Sequence, residues 1–382
     1  MNVVPAAFSD IISEQEHLKA TKYNLEKLSF SKIVRSYRLI ILLLWTLGGG
    51  LEFLSYSTLS RSNDYMSVMK FLLFFFAIEM VLSLPVSIYS TFVIEQKYGF
   101  NKTTKKTFIT DLFKSILISS VLMIPLFLGL LKLLSVMGQN WWIYSWAAFV
   151  GFQFTLIFLY PKFIAPLFNK FSLLPEGELA TSINELLKKI NFNAKEIFTM
   201  DASKRSSHGN AYFTGFGKSK RIVFFDTLLE QMNNKEILAI LAHELGHFKK
   251  KHIIKSMIIS IFTMLILFYL LSIAISSNQF LAGHGLNSNV PAAAIILFTI
   301  IAPIYSFLLS PLGNIFSRKN EFEADDFACK LTSGKDLKSA LIKLYKFNYG
   351  ALAPDEAYSN FYDSHPPAII RIKNIEKNIL NQ

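Results

Sequence analysis

The sequence predicts a mainly α-helical membrane protein of several spans, with polar segments of mixed α and β structure attached. Two observations carry this. The 382 residues are 52% hydrophobic and only 17% charged, whereas soluble domains carry about 25% charged residues. The shortage of charge is concentrated in six apolar stretches, each near the roughly 20 residues that a bilayer-crossing helix needs.

The six predicted spans are residues 39–59, 68–93, 113–136, 141–160, 253–275 and 292–311. They divide the chain into an N-terminal region with four spans (1–160), a polar segment (161–252), two further spans (253–311) and a polar C-terminal segment (312–382). Trp141, Trp142, Tyr144 and Trp146 gather at the start of the fourth span, where amphipathic rings sit at the headgroup level. Glu52 and Glu79 fall inside the first two spans. A lipid-facing carboxylate costs at least about 2.5 kcal/mol, so both are expected to face the bundle interior, paired with a lysine or lining a water-filled chamber. Lys132, near a span end, is expected to snorkel.

Short loops set the orientation. Lys19, Lys22, Lys27, Lys32, Arg35 and Arg38 precede the first span, and Lys97, Lys102, Lys105 and Lys106 follow the second. On the other side, residues 60–67 contribute only Arg61, and residues 138–140 and 276–291 contribute no Lys or Arg. The bias places the N-terminus in the cytoplasm. With an even number of spans, both polar segments fall on the same side. The net charge of +12 then has its cause in these loops, and no nucleic-acid motif accompanies it. A single cysteine, Cys329, excludes an intrachain disulfide framework. No apolar region precedes a small-residue cleavage site, so no cleavable signal peptide is expected.

Within the first polar segment, Leu and Ile at helical spacing predict a helix over 179–190, and 197–200 reads as a short strand. Residues 210–216 and 221–226 are β-rich runs joined by Gly217-Lys218-Ser219-Lys220, a hairpin signal. Asn233-x-x-Glu236 has the form of a capping box. It opens a long helix expected to run without a strong stop into the fifth span, Gly246 being its one weak point.

That helix carries His243-Glu244-Leu245-Gly246-His247. Histidines at i and i+4 project from one face and can bind one ion, and Glu244 lies close to that face as a general base for water. Zinc suits imidazole nitrogen, and a catalytic site takes three protein ligands plus an open position. The third ligand is expected in Glu321-Phe322-Glu323-Ala324-Asp325, just beyond the sixth span. Glu321 and Asp325 share a helix face there and Glu323 does not. One carboxylate can bind the metal while the other accepts from a ligand histidine. A transporter with a regulatory metal site is the competing class, which zinc-dependent peptide hydrolysis would exclude. Lys249, Lys250 and Lys251 follow the motif and place it at the membrane edge rather than inside a span.

These residues, with Ser206-Ser207-His208-Gly209-Asn210-Ala211-Tyr212-Phe213 and His365-Pro366-Pro367, resemble the type I CAAX prenyl endopeptidase family. Phe92-Val93-Ile94-Glu95, Ile164-Ala165-Pro166-Leu167-Phe168 and Phe225-Asp226-Thr227-Leu228-Leu229-Glu230 extend the likeness over nearly the whole chain. The resemblance implies a gluzincin, a membrane zinc protease whose helices enclose a large chamber and which removes the C-terminal tripeptide of prenylated proteins. It implies one zinc ion per chain, held by His243, His247 and Glu321, with Glu244 as base and Asp325 behind a ligand histidine. It assigns Asn210, Ala211 and Tyr212 to an edge strand that pairs with substrate, His365 to the oxyanion and Arg371 to bracing the metal site. The implied partners are a peptide or protein, prenylated or not, and the lipid bilayer. Compared with eukaryotic members, the sequence has no additional N-terminal span and no long charged insertion after Leu229. Both absences point to a compact bacterial member, for which cleavage of other membrane-associated or misfolded polypeptides is the alternative to a CAAX substrate. The implied location is the inner membrane in a bacterium, or the endoplasmic reticulum membrane in a eukaryote, with the active site facing the cytoplasm.

Overall fold

The computed structural model describes residues 3–59, 64–192, 196–215 and 221–380. Helix α1 (Glu14–Trp45) opens on a capping box between Ser13 and Glu16 and is far longer than the apolar stretch it carries. The first predicted span is not one helix. It breaks at Leu47-Gly48-Gly49, and α2 (Gly50–Leu59) leaves at 47° to α1. Gly49 takes a positive φ there, a conformation open to glycine at little cost. Gly285, also at positive φ, lies so close to the Thr46 carbonyl that a Cβ would clash with it. The turn before the last span is thus docked on the break.

Helix α3 (Tyr65–Tyr89) continues through a π-helical turn to Glu95. Helix α4 (Lys105–Val136) starts on the hydroxyl of Thr104, eight residues ahead of the predicted span. Helix α5 (Trp141–Leu159) passes through a second π-helical turn into the short α6 (Ala165–Phe168). Two of the aromatic residues at its start also make packing contacts. Trp141 is buried against Leu271 and Ile295, and Trp146 donates to the Ile261 carbonyl.

The polar segment brings β1 (Phe171–Leu173), α7 (Glu178–Lys189), β2 (Glu196–Met200), β3 (Ala211–Thr214) and β4 (Arg221–Phe225). They form one sheet of order β1-β2-β4-β3, in which β2 and β4 are parallel and the other pairs antiparallel. β3 is an edge strand, paired with β4 as the hairpin signal predicts; the connecting Gly217-Lys218-Ser219-Lys220 lies outside the described residues. After α8 (Asp226–Gln231), the predicted capping box is present: Asn233 accepts from the Glu236 amide at 3.0 Å, and Glu236 accepts from the Asn233 amide at 2.9 Å. It starts α9 (Asn234–Lys249).

The expected uninterrupted run into the membrane is not found. Lys251 adopts a left-handed conformation with φ 57°, and α10 (His252–Ser276) begins beyond it as a separate helix. Gly246, the expected weak point, is instead a site of close packing. After α11 (Asn278–Gly283), α12 (Pro291–Ser306) passes through one tight turn into α13 (Ser310–Leu331), so the last apolar span feeds directly into the helix that bears Glu321. Helices α14 (Gly334–Phe347), α15 (Glu356–Tyr362) and α16 (Ala368–Leu380) complete the polar half. Among the described residues, five helical stretches are long and apolar enough to cross a membrane, six when α1–α2 counts as one bent span.

Among the described residues, neither carboxylate in the first two spans pairs with a lysine. Glu79 accepts from the indole N–H of Trp45, and Glu52 accepts from the amides of Asn287 and Ser288 and from the Ser288 hydroxyl. The main hydrophobic cluster lies in the polar half. There α7, α9, α14, α16 and the sheet pack together, and Phe8 and Ile12 from the N-terminal segment join them.

Candidate metal centre

Two helices cross closely at the centre of this cluster. A Cβ on Gly246 of α9 would stand 2.9 Å from the Ala324 Cα and 3.1 Å from its carbonyl oxygen on α13. That approach is open only to glycine, and it sets one turn of each helix face to face. His243 and His247 point from α9, and Glu321 points from α13.

The two Nε2 atoms lie 3.2 Å apart. Glu321 Oε1 is 3.3 Å from Nε2 of His247, and Oε2 is 3.6 Å from Nε2 of His243. All three ligand atoms lie within 4.8 Å of one another. Two imidazole nitrogens bound to zinc at about 2.0–2.1 Å in a tetrahedron stand roughly 3.4 Å apart, so the observed spacing fits one ion. The charges agree with this. Glu244, Glu321 and Asp325 converge on the site with Arg371 as the permanent cation among them, an acidic excess that a divalent cation would neutralise.

Around the three ligand positions the packing is polar and tight. Asp325, fully buried, holds Oδ1 2.8 Å from Nδ1 of His243. Arg371, reaching in from α16, donates to both oxygens of Asp325 at 2.8 and 2.7 Å and approaches Glu321 Oε2 at 3.2 Å. Burial works against the Arg371 charge, but Asp325 and Glu321 more than offset it and raise its pKa. His365, in the loop before α16, sets Nδ1 3.0 Å from Glu321 Oε2 with 63% of its side chain exposed. Its hydrogen bond to Glu321 raises its pKa. Thus His365 and Arg371 both hold Oε2 of Glu321 and leave Oε1 turned toward His247. Glu244, half-buried on the same stretch of α9, has its carboxyl raised by loss of water.

Asn210, Ala211 and Tyr212 lie at the start of β3, which packs against α9. Asn210 is exposed, and its carbonyl accepts from the Phe225 amide at 3.0 Å. A groove of about 1050 Å³ leads up to His365 between α1 and the segment 350–367, which includes α15; His17, Thr21, Asn24 and Ser31 line its α1 wall.

One neighbour, His252, escaped the sequence reading. Nδ1 of His252 faces Nδ1 of His247 at 3.0 Å, and Nε2 of His252 faces Glu323 at 3.2 Å. Glu323 does point away from Glu321 and Asp325, as its helix phase requires, yet it reaches the site through His252. The signal available in the sequence was a third histidine five residues beyond the motif.

Taken together, the fold and this site define a multi-pass membrane metalloendopeptidase. Residues 1–170, which hold α1 to α6, match the family description "CAAX prenyl protease N-terminal, five membrane helices", and residues 173–379 match "Peptidase family M48". The chain belongs to peptidase family M48. It is 34% identical to the CAAX prenyl protease 1 homolog of Mus musculus over 98% of this chain and 88% of that one. It is 35% identical to the probable CAAX prenyl protease 1 of Schizosaccharomyces pombe over 99% and 83% respectively. The crystal structure of S. mikatae Ste24p superposes with a TM-score of 0.92 at 30% identity, covering 98% of this chain and 92% of that one. The family carries a metal cofactor, and the substrate is a peptide or protein.

Proposed function

We propose that the chain is a zinc endopeptidase of the CAAX prenyl protease type, cleaving near the C-terminus of a polypeptide whose apolar end enters the membrane bundle. The observation that carries this reading is the approach of two imidazole Nε2 atoms to 3.2 Å with Glu321 beside them, on a helix flanked by an edge strand. His243, His247 and Glu321 would hold one zinc ion, which supplies Lewis acidity toward water and a peptide carbonyl.

The chain's own groups do the rest. Glu244 takes the proton of the attacking water and returns it to the departing amine nitrogen. His365, whose Nδ1 is taken by Glu321, presents Nε2 to the carbonyl oxygen as charge develops there. Asp325 fixes the tautomer of His243 so that Nε2 faces the metal, and Arg371 braces both carboxylates. Asn210, Ala211 and Tyr212 offer the free edge of β3 to an extended substrate backbone by strand addition.

The apolar end of the substrate would occupy a chamber between the spans. In support, α4 has no fully buried side chain along 32 residues, and its partly buried contacts gather towards its C-terminal half, at Phe127, Leu130, Leu131 and Leu134. The Lys and Arg bias of the loops puts the site at the cytoplasmic face of the membrane. A reporter fused after Gln382 or inserted near Glu176 then reads cytoplasmic; a signal from the opposite side at either place reverses the orientation. The substrate class is tested by cleavage of a farnesylated C-terminal CAAX peptide beside its unprenylated counterpart. Clear preference for the farnesylated peptide supports the reading. Equal cleavage of both favours a broader peptidase of membrane-associated polypeptides.

A further inference from the structure

We propose that His252 and Glu323 are positioning residues for His247, fixing which of its nitrogens is bare and which way the ring faces. This rests on His247 holding the metal, as proposed above.

The two candidate ligand histidines are supported differently. His243 meets a buried carboxylate directly, through Asp325. His247 meets another imidazole: Nδ1 of His252 stands 3.0 Å from Nδ1 of His247, with the rings inclined at 73°. His252 is almost fully buried, 3% exposed, and turns its other nitrogen to Glu323 Oε2 at 3.2 Å. The backbone is shaped to allow this. Lys251, immediately before His252, adopts the left-handed conformation, uncommon for a lysine, and the turn folds the first residue of α10 back against α9.

With both rings neutral, proton placement along this line has one consistent solution. Glu323 accepts, so His252 carries its proton on Nε2 and leaves Nδ1 bare. The bare Nδ1 accepts from Nδ1–H of His247. Nε2 of His247 then has a free lone pair directed toward His243 and Glu321. The opposite arrangement would put a proton on Nε2 of His247, where a cation would have to sit. It would also set a bare His252 nitrogen against a carboxylate at 3.2 Å. Glu323 thus selects the tautomer of both rings from the far end of the line. The relay also spans the helix break, tying α9 to the first residue of the membrane helix α10.

The test uses the full chain in detergent and compares the parent with His252→Phe, His252→Asn, Glu323→Ala and the His252→Phe/Glu323→Ala pair. Three quantities are read: the rate of zinc release to a chelator, the visible spectrum after cobalt substitution, and the unfolding midpoint without metal. His252→Phe keeps the ring volume but not the acceptor. It is expected to release zinc about 10–100-fold faster, the usual range for loss of a partner behind a metal ligand. The cobalt spectrum should change while the metal-free midpoint stays put. His252→Asn, which returns an acceptor oxygen near the position of Nδ1, should recover part of the loss. Glu323→Ala should show a smaller loss that disappears in the His252→Phe background, because Glu323 acts only through His252. Parent-like zinc release and spectrum in His252→Phe would overturn the proposal, as would strictly additive losses in the pair. A parent that holds no zinc would overturn the ligand assignment and this proposal with it.

Discussion

In the polar half, Ala239, Ala242, Leu245, Ala324, Ala328, Ala340 and Ala368 have no accessible surface, whereas in the bundle α4 buries none of its side chains over 32 residues. The small residues let α9, α13, α14 and α16 approach until backbones touch, as Gly246 and Ala324 do. At that separation few rotamers remain, and ligand atoms on two helices can be held to a few tenths of an ångström. In the bundle, large side chains such as Phe113, Leu117 and Phe262 are exposed. Close packing is not absent from the bundle, where α2, α3 and α12 share a buried cluster and Gly285 meets the Thr46 carbonyl, but α4 stands apart from it with no fully buried side chain.

That contrast makes graded predictions. The largest effect is expected from Arg371→Ala, which strands Glu321 and the fully buried Asp325 without their cation. Removing one partner of a buried ion pair costs about 3–5 kcal/mol, read as a fall in the unfolding midpoint of the metal-free chain. A wild-type midpoint would mean the cluster is not load-sharing and the packed half is looser than described. Gly246→Ala comes next. Its new Cβ would meet the Ala324 backbone at 2.9 Å, and overpacking of this kind costs about 1–3 kcal/mol. It should also separate Glu321 from the two histidines, so zinc affinity falls along with stability. A stable variant with unchanged zinc binding would break the argument from close approach. The smallest effect is expected in the bundle: Leu117→Ala, at a side chain 66% exposed on α4, should change stability by no more than about 0.5 kcal/mol. A loss of several kcal/mol there would show that Leu117 itself packs against a partner, and the open chamber would be lost as an explanation.

The parts of this molecule that could be read in the sequence are those fixed by local rules. Hydropathy found the spans, because a helix facing lipid or open space needs no particular partner. The i, i+4 spacing placed His243 with His247 and Glu321 with Asp325, because helix phase alone decides which side chains share a face. The capping box at Asn233 and Glu236 was equally legible. What was missed depends on tertiary contact. Lys251 breaks the helix although neither glycine nor proline marks the place, and the His247–His252 contact lies on the far side of that turn. Glu52 and Glu79 are satisfied by amides, a hydroxyl and an indole rather than by lysine, and such donors are invisible to a count of charges. The three-residue strand β1 exists only because β2 is beside it.

The central claim is that Glu244 moves the proton in a reaction whose metal is held by other residues. Glu244→Gln tests it most directly, since the amide keeps the shape of the side chain and removes its basicity. Metal content and cleavage of a peptide substrate are measured on the same purified sample at neutral pH. The account predicts one zinc per chain, as in the parent, with turnover lowered by about 10²–10⁴-fold, the range for a lost general base. Substantial turnover with zinc in place would contradict it, and so would loss of the zinc itself.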